Sequence, residues 1–354
     1  MAWSGTAGRR VLVTGADTFW GGRTLQALEA DPEVETILGL GTGTPSVPFG
    51  RAEFVRADQT YSILARMVRA TQVDTIVHTF LIVDAAHASP RTLHEVNVIG
   101  TLNLLAAAGG DDSPVRQVVV KSSTVVYGCA ARDPQTFRED TPRSGSPRTP
   151  LERSLVEAEA MVHDFSEDSP STLVSVLRFA NVLGSHLVTS LSRNLSRPLC
   201  PSIAGFDPLL QFVQEDDVVR ALLFVTRNRI PGLFNVAGAG RLPWSEVAAR
   251  CGTRRVPLPP VAPTIPLAPL TALGVVPFPP DLEALLRYGR GVDTSRLVGA
   301  GFHYHYTSAG AVQSFAQSLR LRRAAGRLPT SYTYEHDVEQ FFRHSPSVVR
   351  PLET

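Results

Sequence analysis

The stretch VLVTGADTFWGGR, residues 11–23, decides how the rest of the chain reads. VLVT is an apolar, β-branched run of the kind that fills a buried strand. Gly15 and Gly21 follow, six residues apart, and a helix is expected to run on through Ala30. A dinucleotide turn needs its first glycine for a tight bend and its last for close packing of helix on strand. The helix N-terminus then faces the pyrophosphate. Thr18 stands where a middle glycine is usual.

Outward from this turn, strands and helices alternate. RVLVT at 10–14, ETILGL at 35–40, residues 52–57, VDTIVHTF at 73–80, QVVVKSS at 117–123 and TLVSVLRF at 172–179 read as strands. Residues 60–70, 91–108 and 151–165 carry helical periodicity. Such alternation predicts an α/β fold with a doubly wound parallel sheet of the Rossmann type. The expected organisation is a nucleotide-binding domain over 8–180 and a smaller C-terminal substrate-binding lobe over 181–330. The chain is expected to return to the first domain near 210–238, and a tail over 331–354 holds Tyr332, Tyr334, Phe341 and Phe342. Residues 256–280 are rich in proline yet almost wholly apolar, so they are expected to pack on the body rather than serve as a linker.

Composition sets outer limits. The 354 residues are 43% hydrophobic and 19% charged, with a formal net charge of +1. That balance gives no reason to expect nucleic acid or an anionic membrane as a partner. Cys129, Cys200 and Cys251 are odd in number and widely spaced, which predicts neither a disulfide framework nor a metal site. The polar opening MAWSGTAGRR does not read as a signal peptide, and a cytoplasmic protein, monomeric or homodimeric, is expected.

Several segments in order carry a resemblance. They are TGADTFWGG, Asp58 after the third strand, IVH at 76–78, EVNVIGTLNLL at 95–105, SSTVVYG at 122–128, LRFANVLG at 177–184, FVQEDDVVRAL at 212–222 and GLFNVAG at 232–238. Together they resemble the extended short-chain dehydrogenase/reductases, also called the NAD-dependent epimerase/dehydratase family. The resemblance implies a nicotinamide cofactor on Gly15, Asp17, Thr18, Phe19, Trp20 and Gly21 of the turn. It would continue past Arg23 and Thr42 to Asp58 and Gln59 at the adenine. His78, Thr79, Phe80 and Asn97, with Ser122, Phe179 and Asn181, would line the ribose and nicotinamide side. An NAD site usually places Asp or Glu after the second strand to bind the ribose 2′-hydroxyl. GLGTGT at 39–44 has none, so NADPH is expected to be preferred and NADH tolerated, with Arg23 or Arg51 meeting the 2′-phosphate.

The family's catalytic hydroxyl maps onto Ser123. Its Tyr-x-x-x-Lys pair maps onto LERSLVEAE at 151–159, where Leu151 and Leu155 hold the two positions. Lys121 is the only lysine in the chain, and Gln117 stands four residues before it, so no such pair exists. Epimerisation and dehydration then lack their usual proton-moving residues. Carbonyl reduction asks for less, since hydride comes from the cofactor and the substrate's own phenol could supply the proton. His186 is a second candidate acid, and Tyr127 reads as packing. DPQTFRED at 133–140 and YGRGVDTSR at 288–296 resemble a branch of the family that lacks the pair. It includes angucyclinone ketoreductases of antibiotic pathways such as that of simocyclinone. The expected activity is therefore NAD(P)H-dependent reduction of a polycyclic aromatic ketone. Two alternatives stand beside it. One is a nucleotide-sugar enzyme with a non-standard acid, clamping diphosphate through Arg193, Arg197, Arg220 or Arg287. The other is a non-catalytic NAD(P)-binding protein.

Overall fold

A computed structural model describes residues 8–84, 88–110, 112–260 and 280–324. Seven parallel strands make the central sheet: β1 (Arg9–Thr14), β2 (Val34–Gly41), β3 (Glu53–Arg56), β4 (Thr75–His78), β5 (Gln117–Ser123), β6 (Leu173–Phe179) and β11 (Gly232–Val236). Their order across the sheet is β11-β6-β5-β4-β1-β2-β3, with every pair parallel. The order reverses between β1 and β4, and in such sheets ligands bind outside the carboxyl ends at that crevice.

The central strands are buried on both faces because helices cover them, and their middles are apolar. All seven residues of β5 are buried. One covering layer contains α2 (Tyr61–Thr71), α4 (Gly100–Ala108) and α5 (Pro150–Asp168), with Leu64, Leu104, Leu155 and Ala158 at its centre. The opposite layer contains α1 (Phe19–Glu29) and α7 (Glu215–Asn228), with Leu25, Leu28, Val218 and Leu222. A third core, around Trp244, Phe212 and Phe315, belongs to the second lobe. There β7 (Asn181–Leu183) pairs with β10 (Phe212–Gln214), and β8 (Leu199–Ile203) pairs with β13 (Arg254–Leu258). The lobe also holds α6 (Ser190–Ser196), α8 (Trp244–Arg250), α9 (Pro280–Tyr288) and, at its end, α11 (Ser308–Ala324). A short α10 (Ser295–Gly299) packs its Leu297 back on the first domain. Residues 261–279 and the tail over 331–354 lie outside the described residues.

The helix expected over 91–108 is interrupted. Pro90–Leu93 is α-helical (α3), His94–Ile99 takes a wider π turn, and α4 follows. The wide turn carries Asn97, whose side chain leaves its own helix. It accepts from the Ile82 N–H at 2.7 Å and donates to the Ile82 carbonyl at 2.9 Å and Ser154 Oγ at 3.0 Å. Such π turns concentrate at functional sites; here the turn lets one side chain fix the strand-end segment after β4 and the start of α5. The α5 helix begins at Pro150 because Thr149 caps it, accepting from the Glu152 N–H at 3.1 Å.

Among the described residues no helix is long and apolar enough to cross a membrane. No group of three or more His, Cys, Asp or Glu side chains stands in a metal-binding arrangement among them. The three cysteines are free and buried.

Candidate active site

The glycine turn explains its own substitutions. Thr18 fills the middle position by capping α1: its hydroxyl donates to the Gly15 carbonyl at 2.7 Å and accepts from the Gly21 N–H at 3.2 Å. Gly15 has φ +70°, where side chains are strained, and packs against Phe80. A Cβ on Gly21 would stand 2.0 Å from the Gly15 carbonyl oxygen. The turn is therefore closed as tightly as backbone allows, with the α1 N-terminus directly behind it, the arrangement that holds an anion in a dinucleotide turn.

The acid missing after β2 is present by another route. Asp17, in the turn, reaches the end of β2, where its Oδ2 accepts from the Thr42 N–H at 2.9 Å and the Gly43 N–H at 2.6 Å. Its Oδ1 is buried without a partner, and a Cβ on Gly41 would lie 2.3 Å from it. Burial raises the Asp17 carboxyl above the usual carboxylate range, while these hydrogen bonds hold it down. The arginines expected to greet a 2′-phosphate are engaged elsewhere. Arg23 pairs with Asp216 at 3.4 Å, and Arg51 donates to the carbonyls of Leu28, Glu29, Asp31 and Val34. Asp17 thus places a carboxylate at the end of β2, where GLGTGT itself offers none. Asp58 and Gln59 follow β3 as expected; burial raises the Asp58 carboxyl, and the Gln59 carbonyl accepts from Asn103 at 3.0 Å.

Near the ends of β4 and β5 the expected residues separate by role. His78 is wholly buried between Thr14 Oγ1 at 2.7 Å and Thr101 Oγ1 at 3.3 Å. Burial, with a contribution from Lys121, depresses it to about 4, so it is a neutral core histidine at pH 7. Thr79 donates to the Thr14 carbonyl at 2.8 Å, tying β4 to β1 above the sheet. Ser122 contributes to the wall of the cavity beside Ser123, and its hydroxyl donates to Glu159 at 2.5 Å; Glu159 in turn holds Arg178. Tyr127 donates to Asn235 Oδ1 at 2.8 Å and stacks on Phe137, which is packing.

Ser123 itself lines that cavity. It shares the walls with Trp20 of the turn, Phe179 at the end of β6, Asn181 at the start of β7, and Leu151 of α5. Lys121 and Thr124 lie beside it. The second lobe closes the other side through Leu187, Leu191, Leu282 and Leu285, with Asp281 and Arg290 at one end. His186 does not join this set. Its Nδ1 is 2.8 Å from Glu215 Oε1 and its side chain is 55% exposed, so the structure does not bring it to Ser123. None of Arg193, Arg197, Arg220 and Arg287 lines the cavity; Arg290 does. Its Nη1 donates to the Gly128 carbonyl at 3.0 Å, and its Nε is buried without a partner.

Leu151 is 2% exposed and forms cavity wall, whereas Leu155 is wholly buried in the α2/α4/α5 core. Restoring tyrosine and lysine at these positions is not expected to raise turnover. The lysine would enter an apolar core without an acceptor, a change that costs several kcal/mol. Steady-state rates of the double variant check this, and a strong gain in rate would show the site to be merely crippled.

Lys121 as a cavity residue, and Asp281 and Arg290 as its far end, were not assigned to the site from sequence. Strand alternation was the available signal for the first, since residues two apart on β5 share a face. Nothing comparable exists for the lobe residues, which arrive over 150 residues after Ser123.

With this geometry in view, the model of the "NAD dependent epimerase/dehydratase family" matches residues 11–237. The chain belongs to that family. An uncharacterized protein of Mycobacterium tuberculosis is 35% identical over 86% of this chain and 82% of its own length. The UDP-glucose 4-epimerase of Neisseria meningitidis serogroup C is 26% identical over 57% of this chain and 63% of its own. Among solved structures, UDP-glucuronic acid 4-epimerase from Bacillus cereus in complex with NAD superposes with a TM-score of 0.68 at 14% identity, covering 91% of this chain and 99% of that one. The dTDP-glucose 4,6-dehydratase from Bacillus anthracis in complex with NAD gives 0.65 at 18% identity, covering 89% and 98%. At such identities these two structures speak for the fold. The described glycine cradle, with a helix N-terminus behind it and the orphaned Asp17 oxygen, fits the cofactor of this NAD-dependent family.

Proposed function

We propose that this chain is a nicotinamide-dependent oxidoreductase acting on a carbinol or carbonyl carbon of a nucleotide-sugar-like substrate, with a non-standard acid. The observation that carries the reading is one shared cavity: Ser123 and Trp20 from the cofactor side face Arg290 from the other lobe. A guanidinium with a buried, unpartnered Nε is suited to a phosphate oxygen. Ser123 is placed to hydrogen-bond an oxygen on which charge develops. A bound nicotinamide supplies or accepts the hydride. The family's named relatives among UDP-sugar epimerases support this substrate class over an aromatic one.

A second reading is reduction of a polycyclic aromatic ketone of polyketide type, with protonation by the substrate's own phenol. The apolar walls favour it: Leu151, Leu187, Leu191, Leu282 and Leu285 surround the few polar groups. Purified protein with reduced and oxidised cofactor, offered UDP-sugars and hydroxylated aromatic ketones, separates the two at the nicotinamide absorbance. Turnover of aromatic ketones alone would sink the first reading.

The preferred cofactor under this proposal is NAD(H), because Asp17 would repel a 2′-phosphate and accept from a 2′-hydroxyl. Asp17→Asn is expected to narrow the NADH over NADPH preference by about tenfold or more in calorimetric titration. A wild type that prefers NADPH, or a variant with unchanged preference, counts against it.

A further inference from the structure

Among 354 residues there is one lysine, and the fold places it where charge is costly. Lys121 is 1% exposed, on the interior strand β5, two residues before Ser123 and so on the same face. Both line the cavity. The Lys121 ammonium has no hydrogen-bond or ion-pair partner among the described residues; it lies over the Trp20 ring, with Nζ 5.2 Å from the centroid. A buried amine is ordinarily paired, and an unpaired one opening on a cavity at the carboxyl ends of parallel strands asks for a ligand.

Its surroundings narrow the chemistry. Trp20 is the second residue of α1, the helix whose N-terminus would face the phosphates of a bound dinucleotide, and it shares the cavity with Ser123 and Phe179, so this end of the cavity would adjoin the cofactor. The other ionisable groups around it are His78 on β4, held neutral, and Asp84, Asp281 and Arg290 on the cavity wall. Asp84 accepts from the Ser190 N–H and hydroxyl, each at 2.5 Å, and Asp281 from Thr149. Neither carboxylate hydrogen-bonds or ion-pairs with Lys121, and burial alone brings its amine down to about 7.

We propose that Lys121 is the proton donor and acceptor for the substrate oxygen, in place of the tyrosine–lysine pair that α5 lacks. The proposal rests on the oxidoreductase reading above. In the reducing direction the hydride that a bound reduced nicotinamide would supply forms a C–H bond at the carbonyl carbon as the C=O π bond breaks. The oxygen takes a proton from the Lys121 ammonium, leaving a neutral amine that water in the cavity reprotonates. In the oxidising direction the neutral amine removes the carbinol proton while the carbon gives up hydride, which a bound oxidised nicotinamide would accept. Ser123 holds the oxygen in both. An ammonium beside the cofactor is tolerated when the nicotinamide ring is neutral and disfavoured when the ring is cationic. The loss of hydride from the cofactor and the loss of the proton from Lys121 thus favour each other.

A unique lysine makes the test direct. Protein grown with 13C,15N-lysine gives one side-chain Cε resonance, which can be titrated with NADH and with NAD+. The expected midpoint lies near neutrality, and lower with NAD+ than with NADH by about one pH unit. An ordinary lysine midpoint, or one that ignores which cofactor is bound, overturns the proposal even if no substrate turns over. Lys121→Met is expected to bind NADH within about twofold of wild type while turnover falls ~100-fold or more. The alkaline fall of the reductive rate should follow the NMR midpoint. A wild type that binds NADH and reduces nothing in the panel would fail the oxidoreductase reading alone. A fully active Lys121→Met would fail the lysine, and loss of activity on O-methylating a phenolic substrate would then move the proton to the substrate.

Discussion

Gly21→Ala is expected to cost this protein its nicotinamide cofactor, with affinity falling by ~100-fold or more. The new Cβ would stand 2.0 Å from the Gly15 carbonyl oxygen, 2.4 Å from the Gly15 carbonyl carbon and 2.8 Å from the Ala16 nitrogen. All three are backbone atoms in a turn that is already pinned. Gly15 sits at φ +70°, and Thr18 bridges the Gly15 carbonyl and the Gly21 N–H. Relief can come only by lifting α1 off β1, which moves the helix N–H groups away from the phosphates they would hold. The neighbouring Gly22→Ala is the control. Its Cβ would meet Val47 Cγ2 at 2.8 Å, a side-chain methyl that can turn aside. Calorimetric titration of both variants with NADH, alongside circular dichroism to confirm folding, measures the difference. Near-equal binding by the two would mean that the turn does not cradle a nucleotide.

The same turn shows why the fold was legible. A strand-forming run, two glycines at the spacing of a bend and a packing contact, and a helix behind them permit few arrangements. The parallel sheet followed because the later apolar runs are too continuous for strands with a wet face. The site was less legible, because its decisive facts are relations across space. GLGTGT lacks an acid, and only the fold shows the Asp17 carboxylate arriving there from 25 residues upstream of Thr42. His186 follows a strand that lines the site, yet Glu215, from the start of α7, accepts two of its N–H groups. Arg290 reaches the cavity from a segment whose sequence pattern gives no direction to its side chain. The loss of the tyrosine–lysine pair was plain from counting lysines, but counting gave the survivor no position.

That survivor carries the second large effect. Lys121→Met is expected to make the protein more stable, and most so at neutral and lower pH. Burial holds the folded-state amine down to about 7, against 10.5 for an ordinary lysine. Between those values the unfolded chain binds a proton that the native protein does not, so wild-type stability rises with pH across the window. At or below about pH 7 the native state must carry the buried ammonium, and the full difference is felt. At about 1.4 kcal/mol per pH unit this amounts to roughly 4–5 kcal/mol, reduced by about 1 kcal/mol for the contact with Trp20. Methionine has similar length, needs no partner and adapts to the gap, so little is lost in packing. Urea denaturation at fixed pH steps from 7 to 10 measures the gap between variant and wild type. Working at pH 7 and above keeps His78 out of the comparison, since it titrates between about 4 in the native state and 6.5 unfolded. The gap is expected to be on the order of 3–4 kcal/mol at pH 7 and to have mostly closed by pH 10. A gap independent of pH would mean that the lysine is not buried as a charge. A variant less stable than wild type at pH 7 would mean that its ammonium has a partner in solution, and with that the case for a free proton at this site would fall.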